Sequence, residues 1–218
     1  MIQAAALQEY YERYKEMLLV AILVIFHTVG LVGLTSEYRN DFLPLSFFNL
    51  TLSFVIVWFA RYNRSTSWYI FVVVAFLIGM SVEWIGVHTG WLFGNYIYGE
   101  NLGIKIAGVP LIIGINWVLL SVISSAVARR FTQNKIGLVF LGAMFMLLLD
   151  IVIEPVAIVS DYWVWSGDIP FSNFITWFVV ALFLQFIFVS LNLVERNKVA
   201  LVLYMIQLVF FVILNLAL

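Results

Sequence analysis

The chain has 218 residues, 64% of them hydrophobic and 11% charged, with a net charge of −1 and a mean hydropathy of +1.07. Soluble domains carry about 25% charged residues, and so short a chain has no core large enough to bury this much apolar surface, so a water-soluble fold is excluded and the bilayer is the solvent. The near-neutral charge argues against a nucleic-acid partner, and the lack of cysteine excludes disulfides, iron–sulfur clusters and thiol chemistry.

The first 16 residues are mixed in charge (Glu12, Arg13, Lys15 and Glu16 among them) and lead into an apolar run without a small-residue cleavage pattern, which reads as no signal peptide. A spanning helix needs roughly 20 apolar residues. About seven stretches qualify, at 17–34, 42–60, 68–87, 109–128, 136–158, 171–191 and 199–218. The expectation is an all-α, polytopic helical bundle forming a single transmembrane domain over 1–218, with no strands. Most connections are short and polar. Two are longer, 88–108 and 159–170, and their Gly, Trp and Tyr content suits ordered interfacial caps. With seven helices, Arg13, Lys15, Arg61, Arg64, Arg129, Arg130, Lys135, Arg196 and Lys198 fall on one side and only Arg39 and Lys105 on the other. Positive residues stay cytoplasmic, so the N-terminus is expected in the cytoplasm, both long loops outside, and the protein in the cell membrane.

Two segments echo each other. The third apolar run carries Glu83, and after its loop Pro110 precedes Trp117 by seven residues. The fifth carries Asp150 and Glu154, and after its loop Pro170 precedes Trp177 by seven. Proline suits the first turn of a helix, where its missing N–H costs nothing. A parallel duplication would place a site between two helix pairs.

Within the apolar runs the polar exceptions are Glu83, Asp150, Glu154 and His27, with His88 at a helix end. A carboxylate at the bilayer centre costs at least about 2.5–3.5 kcal/mol on insertion scales, so three of them mark a site rather than decoration; loop capping and interhelical bonding are the structural alternatives. Asp150 and Glu154 are four apart and share a helix face, and Pro155 frees a carbonyl one turn back. Gly79, Glu83, Gly86 and Gly90 also share a face, which reads either as close helix packing or as a slot for a flat ligand beside Glu83. Neighbouring buried carboxyls split their proton affinities, one staying protonated while another ionises. Trp84, Trp91, Tyr96, Tyr98, Trp163, Trp165 and Trp177 lie nearby in sequence; some anchor the interface, and aromatic faces also stabilise a cation in a dry pocket. Acids and aromatics in an apolar site suit carbocation chemistry on a hydrocarbon. Two histidines are too few for a di-iron hydroxylase, the last helix has no lysine for a retinal Schiff base, DIVIE is thin for magnesium diphosphate, and no phosphate loop is present. No metal is expected.

The segments EWIGVHTGWLFGNYIYG from Glu83, LGIKIAGVP, DIVIEPVA from Asp150 and WVWSGDIPFSNFITW from Trp163 resemble, in that order, the membrane carotenoid biosynthesis family that includes the CruF-type carotenoid hydratases. The resemblance spans roughly residues 79–180. It implies cofactor-free addition of water across the terminal C1=C2 bond of an acyclic carotenoid end, giving a tertiary alcohol. Relatives often carry Asp where this chain has Glu154, which bears on its reach and on substrate choice. The residues agree with that chemistry: an acid, a water-orienting base and aromatic walls. Asp150 and Glu83 are the expected core pair, with Glu154 third. Asn116, Asn173, Tyr96 and His88 are candidates for holding water or supporting the acids. The expected partners are an acyclic or monocyclic carotenoid, water and the bilayer; a homo-oligomer is compatible with the chain. Two rivals stay open: a lycopene-type cyclase, which begins with the same protonation, and a carotenoid-binding or transport protein using the carboxylates as a proton relay.

Overall fold

The computed structural model describes residues 2–218, with side chains from residue 10 onward, so Met1 lies outside the described residues. The chain is an all-α bundle with, among the described residues, seven helices long and apolar enough to cross a membrane. Helix α1 (Ile2–Leu34) runs back well beyond the expected start at 17, because the charged leading segment continues the same helix. The second span does not start cleanly. A short α2 (Arg39–Phe42) and a 3₁₀ turn (Leu43–Leu45) precede α3 (Ser46–Ala60), since Pro44 has no N–H to continue an α-helical ladder. Then come α4 (Thr66–Thr89), α5 (Leu111–Phe131), α6 (Lys135–Val159), α7 (Phe171–Ser190) and α8 (Lys198–Ala217). Most boundaries fall within a few residues of the hydropathy reading.

Helix α5 is the axis of the bundle. Its apolar window is 83% buried, against 22–39% for the other spans, and α3, α4, α6, α7 and α8 all pack on it. Small side chains permit that crowding: Gly114, Ser121, Ser124, Ser125 and Ala128 are buried along it. The other helices turn large apolar side chains outward, such as Val73, Phe140 and Phe183. Lipid leaves no penalty on those faces, and the helix saturates its own backbone polar groups.

The expectation of no strands is wrong. Four short strands lie in the two long loops: β1 (Tyr96–Tyr98), β2 (Lys105–Ile106), β3 (Val109–Pro110) and β4 (Trp163–Trp165). β1 pairs antiparallel with β4, Ile97 opposite Val164, and β2 pairs with β3. Segments of two or three residues are too short to show a period, and YIY and WVW are β-favouring aromatic and β-branched triplets. The β2–β3 hairpin also moves the start of α5 to Leu111, so Pro110 caps that helix rather than opening its first turn; Pro170 does the same for α7. The β1–β4 ribbon closes one end of the bundle. Arg39 fastens the same end by donating to the Val159 carbonyl at 2.7 Å, one of the orphan acceptors at a helix C-terminus. At the opposite end Arg61 is buried, stacked over Trp68 at 4.3 Å and donating to the Leu193 carbonyl at 2.8 Å.

Candidate active site

Helix α4 continues six residues beyond Glu83, and α6 five beyond Glu154, toward the strand cap. Each acid is held by donors encoded downstream of it. Glu83, 3% exposed, accepts at Oε2 from the Tyr96 and Tyr98 hydroxyls (2.5 and 2.8 Å) and at Oε1 from the Trp117 indole N–H (3.0 Å). Glu154, 2% exposed, accepts at Oε2 from the Trp163 and Trp165 indoles (3.0 and 3.1 Å) and at Oε1 from the Asn173 amide (3.1 Å). Alternate residues of a strand point to one face. The outer residues of YIY therefore converge on Glu83, and those of WVW on Glu154.

The two halves of the expected echo meet face to face. Tyr96 lies opposite Trp165 across the ribbon, ring centroids 5.0 Å apart. Trp117 and Trp177, each seven residues past its proline, stack at 3.9 Å with an interplanar angle of 18°. Two acid–strand–Pro–Trp units thus enclose a single cavity.

That cavity measures about 40 Å³ and is lined by Glu83, Tyr96, Tyr98, Asn116, Glu154, Trp163, Trp165, Asn173 and Trp177, together with Phe93 and Ile113. A water needs roughly 10–15 Å³ by this measure, so the space suits water or a single small group. Burial, followed by the adjacent Glu83, pushes the Tyr96 and Tyr98 phenols well above their usual range. Both therefore remain hydroxyls at any working pH. Asn116, Ile113 and Trp163 also line a second, larger cavity of about 250 Å³, so a shared wall separates the acids from an apolar chamber.

Asp150 sits one turn deeper on α6 than Glu154. It is 2% exposed, and its Oδ2 has no hydrogen-bond partner among the described residues. It does not line the small cavity, where the two glutamates face each other.

Three expected ligand-binding side chains lie elsewhere. Trp84 is 48% and Trp91 79% exposed. His88 is exposed as well, its ring 4.9 Å from Trp84 and its Nδ1 on the Trp84 carbonyl at 2.8 Å. For Trp84 and His88 the reason is helical geometry, while Trp91 lies past the Gly90 cap that ends α4. With Glu83 turned inward, the next residue points roughly 100° away, and His88 follows four residues later on that outer face. They sit where interfacial aromatics sit.

The glycine face also reads differently in three dimensions. The flat object beside Glu83 is the protein's own Trp117: a Cβ at Gly79 would stand 2.6 Å from its ring. A Cβ at Gly86 would stand 2.5 Å from Phe93 and 2.9 Å from the Tyr96 hydroxyl. Gly90 closes α4 in the left-handed conformation at φ 64°, the usual use of glycine there. Trp117, Phe93 and Ile113 are the lining and bonding residues that motif reading did not assign. For Trp117 the repeated Pro-to-Trp spacing was the available signal.

Residues 42–218 match the family described as carotenoid biosynthesis protein. The match reaches beyond 79–180 to include the second and last spans. The chain is also 24% identical over 180 residues to the bisanhydrobacterioruberin hydratase of Haloarcula japonica, covering 72% of this chain and 59% of that protein. No solved structure matches the chain.

Proposed function

The chain belongs to the carotenoid biosynthesis protein family, and from that premise we propose that it is a carotenoid hydratase acting by acid catalysis without a cofactor. One observation carries the reading: two buried glutamates line a water-sized cavity walled by aromatic rings, and that cavity shares a wall with a larger, mostly apolar chamber. The Haloarcula relative is named for a carotenoid hydration, and this chain spans about 59% of its length, so the activity is proposed here on the site as well as on the likeness.

The chain of a carotenoid occupies the apolar chamber and its terminal C1=C2 bond reaches the shared wall at Asn116 and Trp163. The π electrons take a proton at C2, leaving a tertiary cation at C1. Water adds through oxygen at C1, and the resulting oxonium returns one proton to the site. The net change is addition of one water. Glu83 is the proton donor in this scheme, because its two tyrosine partners are hydroxyls, which both donate and accept and so relay a replacement proton. Glu154 faces three donors that cannot serve as bases in that geometry, which suits an anion that orients water and takes its proton. Tyr96, Trp165 and Trp177 line the cavity and supply negative ring faces to the cation. Asp150, deeper on the same face, is the third acid and the reserve for reprotonation. The loop charges support a strand cap outside and an N-terminus in the cytoplasm, and in that orientation water enters from the outer side.

Membranes containing the protein, supplied with an acyclic carotenoid in doubly labelled heavy water (D₂¹⁸O), are expected to add one ¹⁸O at C1 and one deuterium at C2, also under anaerobic conditions. Uptake of deuterium without oxygen means a cyclase. Oxygen drawn from O₂ means an oxygenase, and unchanged pigment means a carrier; any of the three overturns the proposal.

A further inference from the structure

The chamber of about 250 Å³ lies between α1, α3, α5, α6 and α8, and no Asp, Glu, Lys or Arg lines it. A charged group has no partner there, and burying one unpaired is costly, so the walls suit a neutral, apolar occupant. The size sets a second limit. An apolar cavity of about 150 Å³ holds one benzene ring, so on the same scale the chamber holds about ten carbons. A carotenoid chain is several times longer, and the part that does not fit has to leave the protein.

The walls show where it leaves. Four of the lining side chains are also exposed on the outside of the bundle: Phe26 and Val29 on α1, Leu45 on the 3₁₀ turn and Phe48 on α3. Phe26 is 50% and Phe48 63% exposed, whereas the rest of the lining is buried or half-buried. The chamber therefore opens to the bilayer between α1 and α3, beside the irregular start of the second span. Toward the strand cap the gap is shut, because Gly33 lies so close to the Phe42 ring that no Cβ fits between them. Another apolar space, of about 420 Å³, runs between α1 and α8. His27 and Phe210 line both spaces, are buried, and meet edge to face at 5.5 Å, so they form the partition between them. At its inner end the chamber shares Ile113, Asn116 and Trp163 with the cavity of the two glutamates.

We propose that the chamber is a lateral port: the end of an acyclic isoprenoid enters from the lipid between α1 and α3, buries only its last two isoprene units, and leaves the rest of its chain in the bilayer. The protein then recognises one chain end and not the whole molecule. It accepts short acyclic isoprenoid hydrocarbons as well as carotenoids, and it does not read the group at the far end. The inference rests on the carotenoid reading above and adds to it how much of the substrate is enclosed.

The test uses the full chain in lipid nanodiscs, with binding read by quenching of tryptophan fluorescence by a carotenoid, which requires no turnover. Two carotenoids that share one acyclic end and differ at the other, open or ringed, are expected to bind within about threefold of each other. A colourless acyclic hydrocarbon of two isoprene units is expected to displace them at a membrane mole fraction within about tenfold of the carotenoid's own. Gly30 lines the chamber, and a Cβ there meets only Phe210, at 3.7 Å. Gly30→Leu is therefore expected to fold and to weaken binding at least about tenfold, because its side chain takes the room of about four carbons. Val29→Trp, at the opening, repeats the measurement should Gly30→Leu not fold. Met205→Trp fills the space between α1 and α8 instead and is expected to leave binding unchanged. A two-unit hydrocarbon that does not compete, or an affinity that follows the far end group, overturns the proposal; so does weakening by Met205→Trp with none from Gly30→Leu and Val29→Trp. Any of these together with normal hydration of the carotenoid leaves the hydratase reading standing. Binding as expected without hydration supports the port and removes the hydratase reading, and failure to bind any carotenoid removes both.

Discussion

Glu83→Gln separates the chemistry of the site from its architecture. Glutamine keeps the shape of glutamate. With its carbonyl oxygen in the Oε1 position, the bond from Trp117 (3.0 Å in the acid) survives. The amide nitrogen then faces the Tyr96 and Tyr98 hydroxyls, which stand at 2.5 and 2.8 Å from Oε2. Unlike an indole, a phenol hydroxyl rotates to accept, so the variant retains a satisfied cluster. As the proton donor Glu83 carries its proton in the resting protein, so its bonds and those of the amide are alike neutral, worth about 0.5–1.5 kcal/mol each. The net change in stability is expected to stay within about 2 kcal/mol. Glu83→Ala, by contrast, leaves two phenols and an indole without an acceptor. At about 1–3 kcal/mol for each orphaned group, it is expected to destabilise the fold by about 3 kcal/mol or more. Turnover of Glu83→Gln is expected to fall about 10²–10⁴-fold, the usual contribution of a general acid. Thermal unfolding in detergent and chromatography of the pigments from a carotenoid-producing host provide the two readings. Near-normal product from Glu83→Gln refutes the assignment of Glu83 as proton donor. A collapse in stability equal to that of Glu83→Ala refutes the hydrogen-bond reasoning.

Trp163→Phe and Trp165→Phe each remove one indole donor from Glu154 Oε2; each is expected to lower kcat about tenfold, and the double variant more than the product of the two, measured by initial rates. Gly79→Leu is expected to push Trp117 off Glu83, because even a Cβ there lies 2.6 Å from the ring; a loss of about 1–3 kcal/mol, typical of overpacking, and a shifted tryptophan emission report it. Trp84→Phe and Trp91→Phe, on the outer face, are expected to leave product yield within about twofold of the wild type, and a large loss places those rings back in the reaction.

The bundle was legible because its signals are long. Seven apolar runs and a charge asymmetry give the helix number without knowledge of packing, and a buried acid in a run such as that around Glu83 stands out against its surroundings. The orientation of single side chains was not. Trp84 and Tyr96 are both aromatic and both follow Glu83 in sequence, yet one faces outward and the other bonds the acid, because a helical step and a strand pleat decide the direction. The ribbon of β1 and β4 was hidden for a related reason: its partners are 67 residues apart at Ile97 and Val164, and a triplet carries no period. Gly79 shows the converse. The sequence revealed that space had been cleared beside Glu83, while only the fold showed that Trp117 fills it. Placing Glu154 opposite Glu83, with Asp150 behind, likewise required the tertiary structure: the two acids on α6 share a face, and the sequence reading paired Asp150 with Glu83 and put Glu154 third, whereas Glu154 lines the small cavity with Glu83.

The order of donors along the chain bears on how the protein enters the membrane. Glu83 leaves the ribosome before Tyr96, Tyr98 and Trp117, and Glu154 before Trp163, Trp165 and Asn173. Neither acid has its partners when its own helix is made. A helix carrying an unsatisfied carboxyl at depth partitions into lipid less readily than its apolar neighbours. Helix α4 is therefore expected to settle together with α5, and α6 together with α7. The pairing of β1 with β4, the stacking of Trp117 on Trp177 and the packing of α6 and α7 on α5 join the two insertion units, so the cavity is expected to come into existence only after both hairpins are in the bilayer.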